Sequence, residues 1–73
     1  MTYQPLDTVV LARDLPEHGL RVGDLGAVVE VYGGGGFEVE FVQASGHTKA
    51  LVTLKASDLR AVADRDILAV RAS

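Results

Sequence analysis

Few side chains in this chain could do chemistry, and they are scattered. A metal site needs three or four ligands at matched spacing, and the two histidines, His18 and His47, have only Glu17, Asp14 and Asp24 near them as oxygen donors. Neither an H-x-H nor an H-E-x-x-H pattern occurs, so both read as exposed loop histidines, with no metal and no cofactor expected. The hydroxyls of Ser45, Thr48, Thr53 and Ser57 lack a neighbouring base and orienting acid. Glu38 and Glu40 stand at i, i+2, which puts both on one face of a strand; in a cleft their proximity would raise one pKa, and on an outer face they are simply solvated. The chain has no cysteine, which removes thiolate nucleophiles, disulfides and iron–sulfur ligation. No enzyme is expected.

The glycines support no phosphate site either. Gly33 to Gly36 resemble a phosphate loop only in composition, because no lysine and no helix follow them. Gly23-Asp24-Leu25-Gly26 is formally a G-x-x-G clamp, but the nucleic-acid form of that clamp lies between helices, and turn chemistry explains this one. The segment with the most recognition character is Asp14-Leu15-Pro16-Glu17-His18-Gly19-Leu20, which sets two leucines and a proline among charges. Loops on a rigid scaffold carry much of protein recognition. Asp14, Leu15, Pro16, Glu17, His18 and Leu20 form the candidate partner-contact rim; the plainer reading has Leu15 and Leu20 closing the end of the fold.

The elements that must hold this loop have an all-β rhythm, with apolar residues at period two or in short runs, divided by glycine-rich or Pro/Asp/Ser-rich punctuation. Residues 7–12 (DTVVLA) form a first strand, and residues 13–24 a long ordered loop. Residues 25–32 and 37–42 flank the four glycines as a hairpin, since glycine takes the positive φ of tight turns without steric cost. In its second arm Phe37, Val39 and Phe41 face the core and Glu38 and Glu40 face water; in its first arm Ala27, Val29 and Val31 are expected to share the core face. Residues 43–46 turn the chain into a fourth strand, residues 47–54, and Ala56 to Leu59 suit one short 3₁₀ turn leading to Ala61 and Val62. The tail, residues 64–71, reads as an edge strand, an amphipathic turn or a segment ordered by a partner, with residues 1–5 and 72–73 flexible.

Seventy-three residues make one domain, too short for a two-layer sandwich. With no helix to cover it, a sheet of five to six antiparallel strands is expected to curl into a small barrel enclosing Val9, Leu11, Val29, Val31, Phe37, Val39, Phe41 and Leu51. A core of that size predicts support from strand pairing between subunits, hence a homo-oligomer, a dimer in the simplest case. No apolar run approaches the ~20 residues of a membrane helix, and no leader-like N-terminus precedes the fold, which points to the cytoplasm. The net charge of −3 disfavours nucleic acid as a partner.

Three segments carry a resemblance: D-L-P-x-x-G-L at Asp14 to Leu20, G-D-x-G-x-V-V-E-V at Gly23 to Val31, and F-E-V-E-F at Phe37 to Phe41. With them the chain resembles, from Asp7 to about Arg71, the bacterial family called domain of unknown function 4926. That resemblance implies a small Src-homology-3-like barrel and carries over no catalytic residue. The Gly23-Asp24 turn before a valine strand is also locally similar to the KOW motif of ribosomal and elongation proteins.

Function is then expected from the binding class: a non-catalytic protein-binding or adaptor module, with an antitoxin-like or immunity-like pairing as one form of it. A KOW-like nucleic-acid binder is the rival, requiring Arg13, Arg21, Lys49, Lys55, Arg60, Arg65 and Arg71 to gather on one face. An accessory subunit resembling the small barrel of nitrile-hydratase-type assemblies is the third possibility.

Overall fold

The structure is a computed structural model, and it describes residues 3–64. The elements, in chain order, are β1 (Thr8–Leu11), the 3₁₀ turn η1 (Pro16–His18), β2 (Leu25–Val31), β3 (Gly36–Val42), β4 (Thr48–Lys55), the 3₁₀ turn η2 (Ala56–Asp58) and β5 (Leu59–Ala61). All five strands form one antiparallel sheet in the order β4-β3-β2-β1-β5. The all-β expectation holds, with a second 3₁₀ turn, η1, inside the loop before β2. The expectation for the tail falls, from Arg65 onward, outside the described residues.

The sheet does not close. β4 and β5 are its two edges and share no ladder, so the barrel is an open sheet wrapped around its own concave face. All five strands nonetheless contribute to a single cluster, which joins Val9 and Leu11, Val28, Phe37, Val39 and Phe41, Val52 and Leu54, and Leu59. Wrapping replaces the missing second layer, because a lone flat sheet would leave both faces wet. Tyr3, in the stretch expected to be flexible, is buried in the same cluster with its ring edge-on to Phe37, centroids 5.5 Å apart.

The stripe on β3 is as expected: Phe37, Val39 and Phe41 are buried, opposite Leu54, Val52 and Ala50 of β4. That register sends Leu51 to the other face, against Glu40, and it is 55% exposed rather than buried as the sequence pattern implied. A second correction concerns β2. Val39 opposes Val28 and Glu38 opposes Glu30, so one extra residue, Val29, sits between two successive pairs as a bulge. An extra residue reverses the parity of everything beyond it. Gly26 and Val28 therefore point inward, while Ala27 faces outward and Val29 is exposed. Val31 returns to the side of Phe37 only at the hairpin end, where it too is exposed.

Inward-facing Gly26 has a steric cause. A Cβ there would meet Val39 Cγ1 at 2.7 Å and Phe41 Cε1 at 2.8 Å, so the β3 side chains lie against bare backbone. The hairpin tip needs glycine for conformation instead, since Gly34 and Gly35 have φ near +90°. Gly26→Ala is expected to cost about 2 kcal/mol, in the range for overpacking a tight core. Gly33→Ala, where a Cβ meets nothing within 4 Å and φ is not positive, serves as its near-neutral control. Urea unfolding midpoints of the two variants check the contrast.

Candidate functional site

The loop between β1 and β2 is built by its own sequence, residue by residue. Leu15 and Leu20 form an isolated bridge, each donating its N–H to the other's carbonyl at 2.9 and 3.1 Å. Their side chains are 1% and 2% exposed and belong to the core cluster, so they close the end of the fold. Between them Pro16 opens η1, where its missing N–H costs nothing. Gly19 then reverses the chain with φ +67°, donating its N–H to the Pro16 carbonyl. The Asp14 carboxylate accepts the Val22 N–H at 2.8 Å, and Asp24 accepts the Arg21 N–H at the same distance. Gly23, at φ +94°, hands the chain into β2 while its N–H is held by the Leu11 carbonyl.

Of the six rim residues, then, Leu15 and Leu20 are buried and cannot meet a partner, and the Asp14 carboxylate is occupied in shaping the loop. Pro16, Glu17 and His18 stay on the surface side by side. Lys49, Arg13 and Asp58, none of which the sequence pattern placed in the rim, join this end. Lys49 reaches over from β4, its Nζ only 3.3 Å from where a Cβ on Gly19 would begin. Arg13 Nε donates to the Asp58 carboxylate at 2.7 Å, linking the loop to η2, and Asp58 also takes the Ala12 N–H on its carbonyl and the Lys55 N–H on its carboxylate. No local pattern in the sequence brings residues 13 and 58 together; the pairing of β1 with β5 does.

On the convex face the acidic residues serve as acceptors. Thr48 donates to Glu40 at 2.6 Å, and both Thr53 and Tyr32 donate to Glu38. Partial burial, then the carboxylates of Glu38 and Glu30, hold the Tyr32 phenol protonated above its usual range. Glu40 also borders an open depression on this face, lined with it by Thr8, Leu25, Gly26, Ala27 and Val42. The exposed Ser45 hydroxyl lies 3.1 Å from His47 Nδ1 within the turn before β4, a contact that shapes the turn. Among the described residues no three His, Asp or Glu side chains gather as metal ligands.

A family model described as Domain of unknown function (DUF4926) matches residues 6–61, which spans the whole sheet and the loop just described. The chain belongs to that family. No curated protein and no solved structure matches it. Each part of the D-L-P-x-x-G-L segment has a job in the loop: an N–H acceptor, two core leucines, a turn-opening proline and a left-handed glycine.

Two outcomes are expected. Asp14→Ala strands the Val22 N–H and lowers stability by about 1 kcal/mol, whereas Glu17→Ala and His18→Ala leave the melting temperature unchanged. Secondly, the Arg13 hydrogen bond, aided by the Lys55 N–H and opposed by burial, holds the Asp58 carboxyl below its ordinary range. A carboxyl depressed on folding stabilises the fold at neutral pH, and that contribution fades as the pH drops below about 4, the ordinary carboxylate value. Asp58→Asn should be less stable than wild type near neutrality and lose less on acidification, read from urea midpoints across the acid range.

Proposed function

We propose that this protein is a non-catalytic protein-binding module that takes an extended segment of its partner along the open edge of β4. One observation carries the reading: the longest strand of the sheet, Thr48–Lys55, lies at its rim. Sheet edges in natural proteins are kept short, bulged or covered, because an open ladder of N–H and C=O groups pairs with any available strand. β4 has eight residues, its one irregularity falls at Lys49 near the start so that Ala50 to Lys55 runs in regular register with β3, and among the described residues only β3 pairs with it. Addition of a strand supplies affinity through main-chain bonds and selectivity through side chains.

The charges on the strand say what kind of segment fits. Lys49 and Lys55 sit near its two ends and β4 carries no acid, which favours a partner strand with carboxylates. Lys49 lies against Gly19, which brings the exposed loop residues Pro16, Glu17 and His18 close to that end of the edge. An antitoxin-like or immunity-like pairing, or service as the accessory subunit of an enzyme assembly, are two settings for such a module, and a bacterial cytoplasm is the compartment that suits it.

Nucleic acid is the weaker reading. Arg13 is engaged by Asp58, Lys49 and Lys55 lie on one edge of the sheet and Arg60 on the other, and Glu30, Glu38 and Glu40 occupy the strands between. Capture from native extract decides between them. The wild-type chain is expected to retain one stoichiometric protein, the doubly reversed Lys49→Glu/Lys55→Glu variant to lose it with an unchanged melting temperature. Equal capture by both, or recovery of nucleic acid that leaves at moderate salt, overturns the proposal.

A further inference from the structure

The two faces of the β4 edge differ in what they leave uncovered. Toward the core, Ala50, Val52 and Leu54 stand opposite Phe41, Val39 and Phe37, and Val52 and Leu54 are only 8% and 4% exposed. A strand added on this side finds little apolar surface left to cover. On the convex face the regular run presents Leu51, Thr53 and Lys55, opposite Glu40, Glu38 and Gly36 of β3. Leu51 keeps 55% of its surface in water, so the apolar area still to be gained lies there.

Most polar groups around Leu51 are engaged. Thr53 donates to Glu38 at 2.5 Å, and Thr48 donates to Glu40 at 2.6 Å. Lys55 differs, because the residue directly across the ladder is Gly36, which has no side chain to meet it. Asp58 interacts with Lys55, but its carboxylate already takes Arg13 Nε at 2.7 Å. Two cations share one carboxylate at this corner, which leaves a positive charge over. Residues directly opposite in an antiparallel pair share a face, with Cβ atoms about 5 Å apart. An added strand therefore brings one side chain to Leu51 and another to Lys55.

Resting on the edge pairing proposed above, we infer that β4 selects a partner segment running antiparallel to it, with a carboxylate opposite Lys55 and, four residues nearer its C-terminus, an aliphatic side chain opposite Leu51. Every ladder of the sheet is antiparallel, and that pairing is the more stable per residue. The spacing follows from the pleat, since only every second residue of the partner faces the side on which Leu51 and Lys55 stand. Positions opposite Val52, Thr53 and Leu54 add main-chain bonds and little selectivity. β4 holds no acid, so a second β4 cannot answer Lys55. Antiparallel pairing of two copies centred on Val52 would also bring Lys49 of each toward Lys55 of the other, and like charges across a ladder are unfavourable.

Fluorescence anisotropy of labelled, capped peptides on the intact chain tests this. The probe reads glutamate, valine, threonine, valine, leucine between glycine-serine flanks, and it is expected to bind in the micromolar range. Lysine in place of the glutamate, serine in place of the leucine, or the five residues in reverse order should each weaken binding about fivefold. Lys55→Glu should invert the preference between the glutamate and lysine peptides, a comparison made on one protein and so independent of its stability. Equal binding of the glutamate and lysine peptides, or of the forward and reversed ones, overturns the inference while edge pairing stands. N-methylation should abolish binding at one set of alternate peptide nitrogens and spare the other; binding that survives both sets overturns edge pairing as well. Failure of every peptide to bind overturns the inference, and capture from extract then judges edge pairing alone. Self-association of the wild type that the glutamate peptide cannot reverse overturns it in favour of a second copy.

Discussion

The constraint behind this structure is that one sheet, with no helix and no second layer, must cover its own apolar face. Phe37, Val39 and Phe41 on β3 are the centre of the solution, and the strands on either side bend so that Val28, Val9 and Leu59 from one flank and Val52 and Leu54 from the other meet over them. Two aromatic rings in a chain of this length contribute a large part of the buried apolar area. Gly26 gives Val39 and the Phe41 ring room to lie against β2, and Leu15, Leu20 and Tyr3 join the same core.

Curling without closing has a cost at the rims. A closed barrel abolishes edges, whereas this sheet retains two, and the one at β4 is long. The loop that seals one end solves a related problem, because it must place Leu15 and Leu20 inside while satisfying the polar backbone between them. Asp14, Gly19 and the 3₁₀ turn do that locally, and the Arg13–Asp58 pair ties the loop to the β4–β5 corner, 45 residues away in sequence.

Where the strands ran without interruption, their faces were legible in the residues. β3 alternates Phe-Glu-Val-Glu-Phe, and each residue faces where that alternation sends it. The glycine hairpin and the Ala56 turn were equally plain, because glycine and cap-type residues act locally. β2 was misread because Leu25 to Val31 is apolar at both parities except for Gly26 and Glu30, so nothing in the stretch marks Val29 as the extra residue; the bulge is set by what β3 needs opposite it. Leu51 misled for the same reason, a leucine whose direction is decided by its register with Glu40. The rim loop was found as a segment, but its division into buried and displayed residues depends on the Leu15–Leu20 bridge, and the parts of Lys49 and Asp58 depend on strand order.

At the glycine tip between β2 and β3, a Cβ added to Gly33, Gly34 or Gly35 would meet nothing within 4 Å among the described residues. Its register is carried by the Tyr32–Gly36 bond behind it, with Tyr32 donating its N–H to the Gly36 carbonyl at 2.9 Å. Loop tips of this kind tolerate foreign sequence, and loop-closure entropy grows only slowly with length. The molecule therefore offers a graft point for an epitope, a fluorophore-labelling peptide or a new pair of termini, beside the Lys55 end of β4 rather than its Lys49 end.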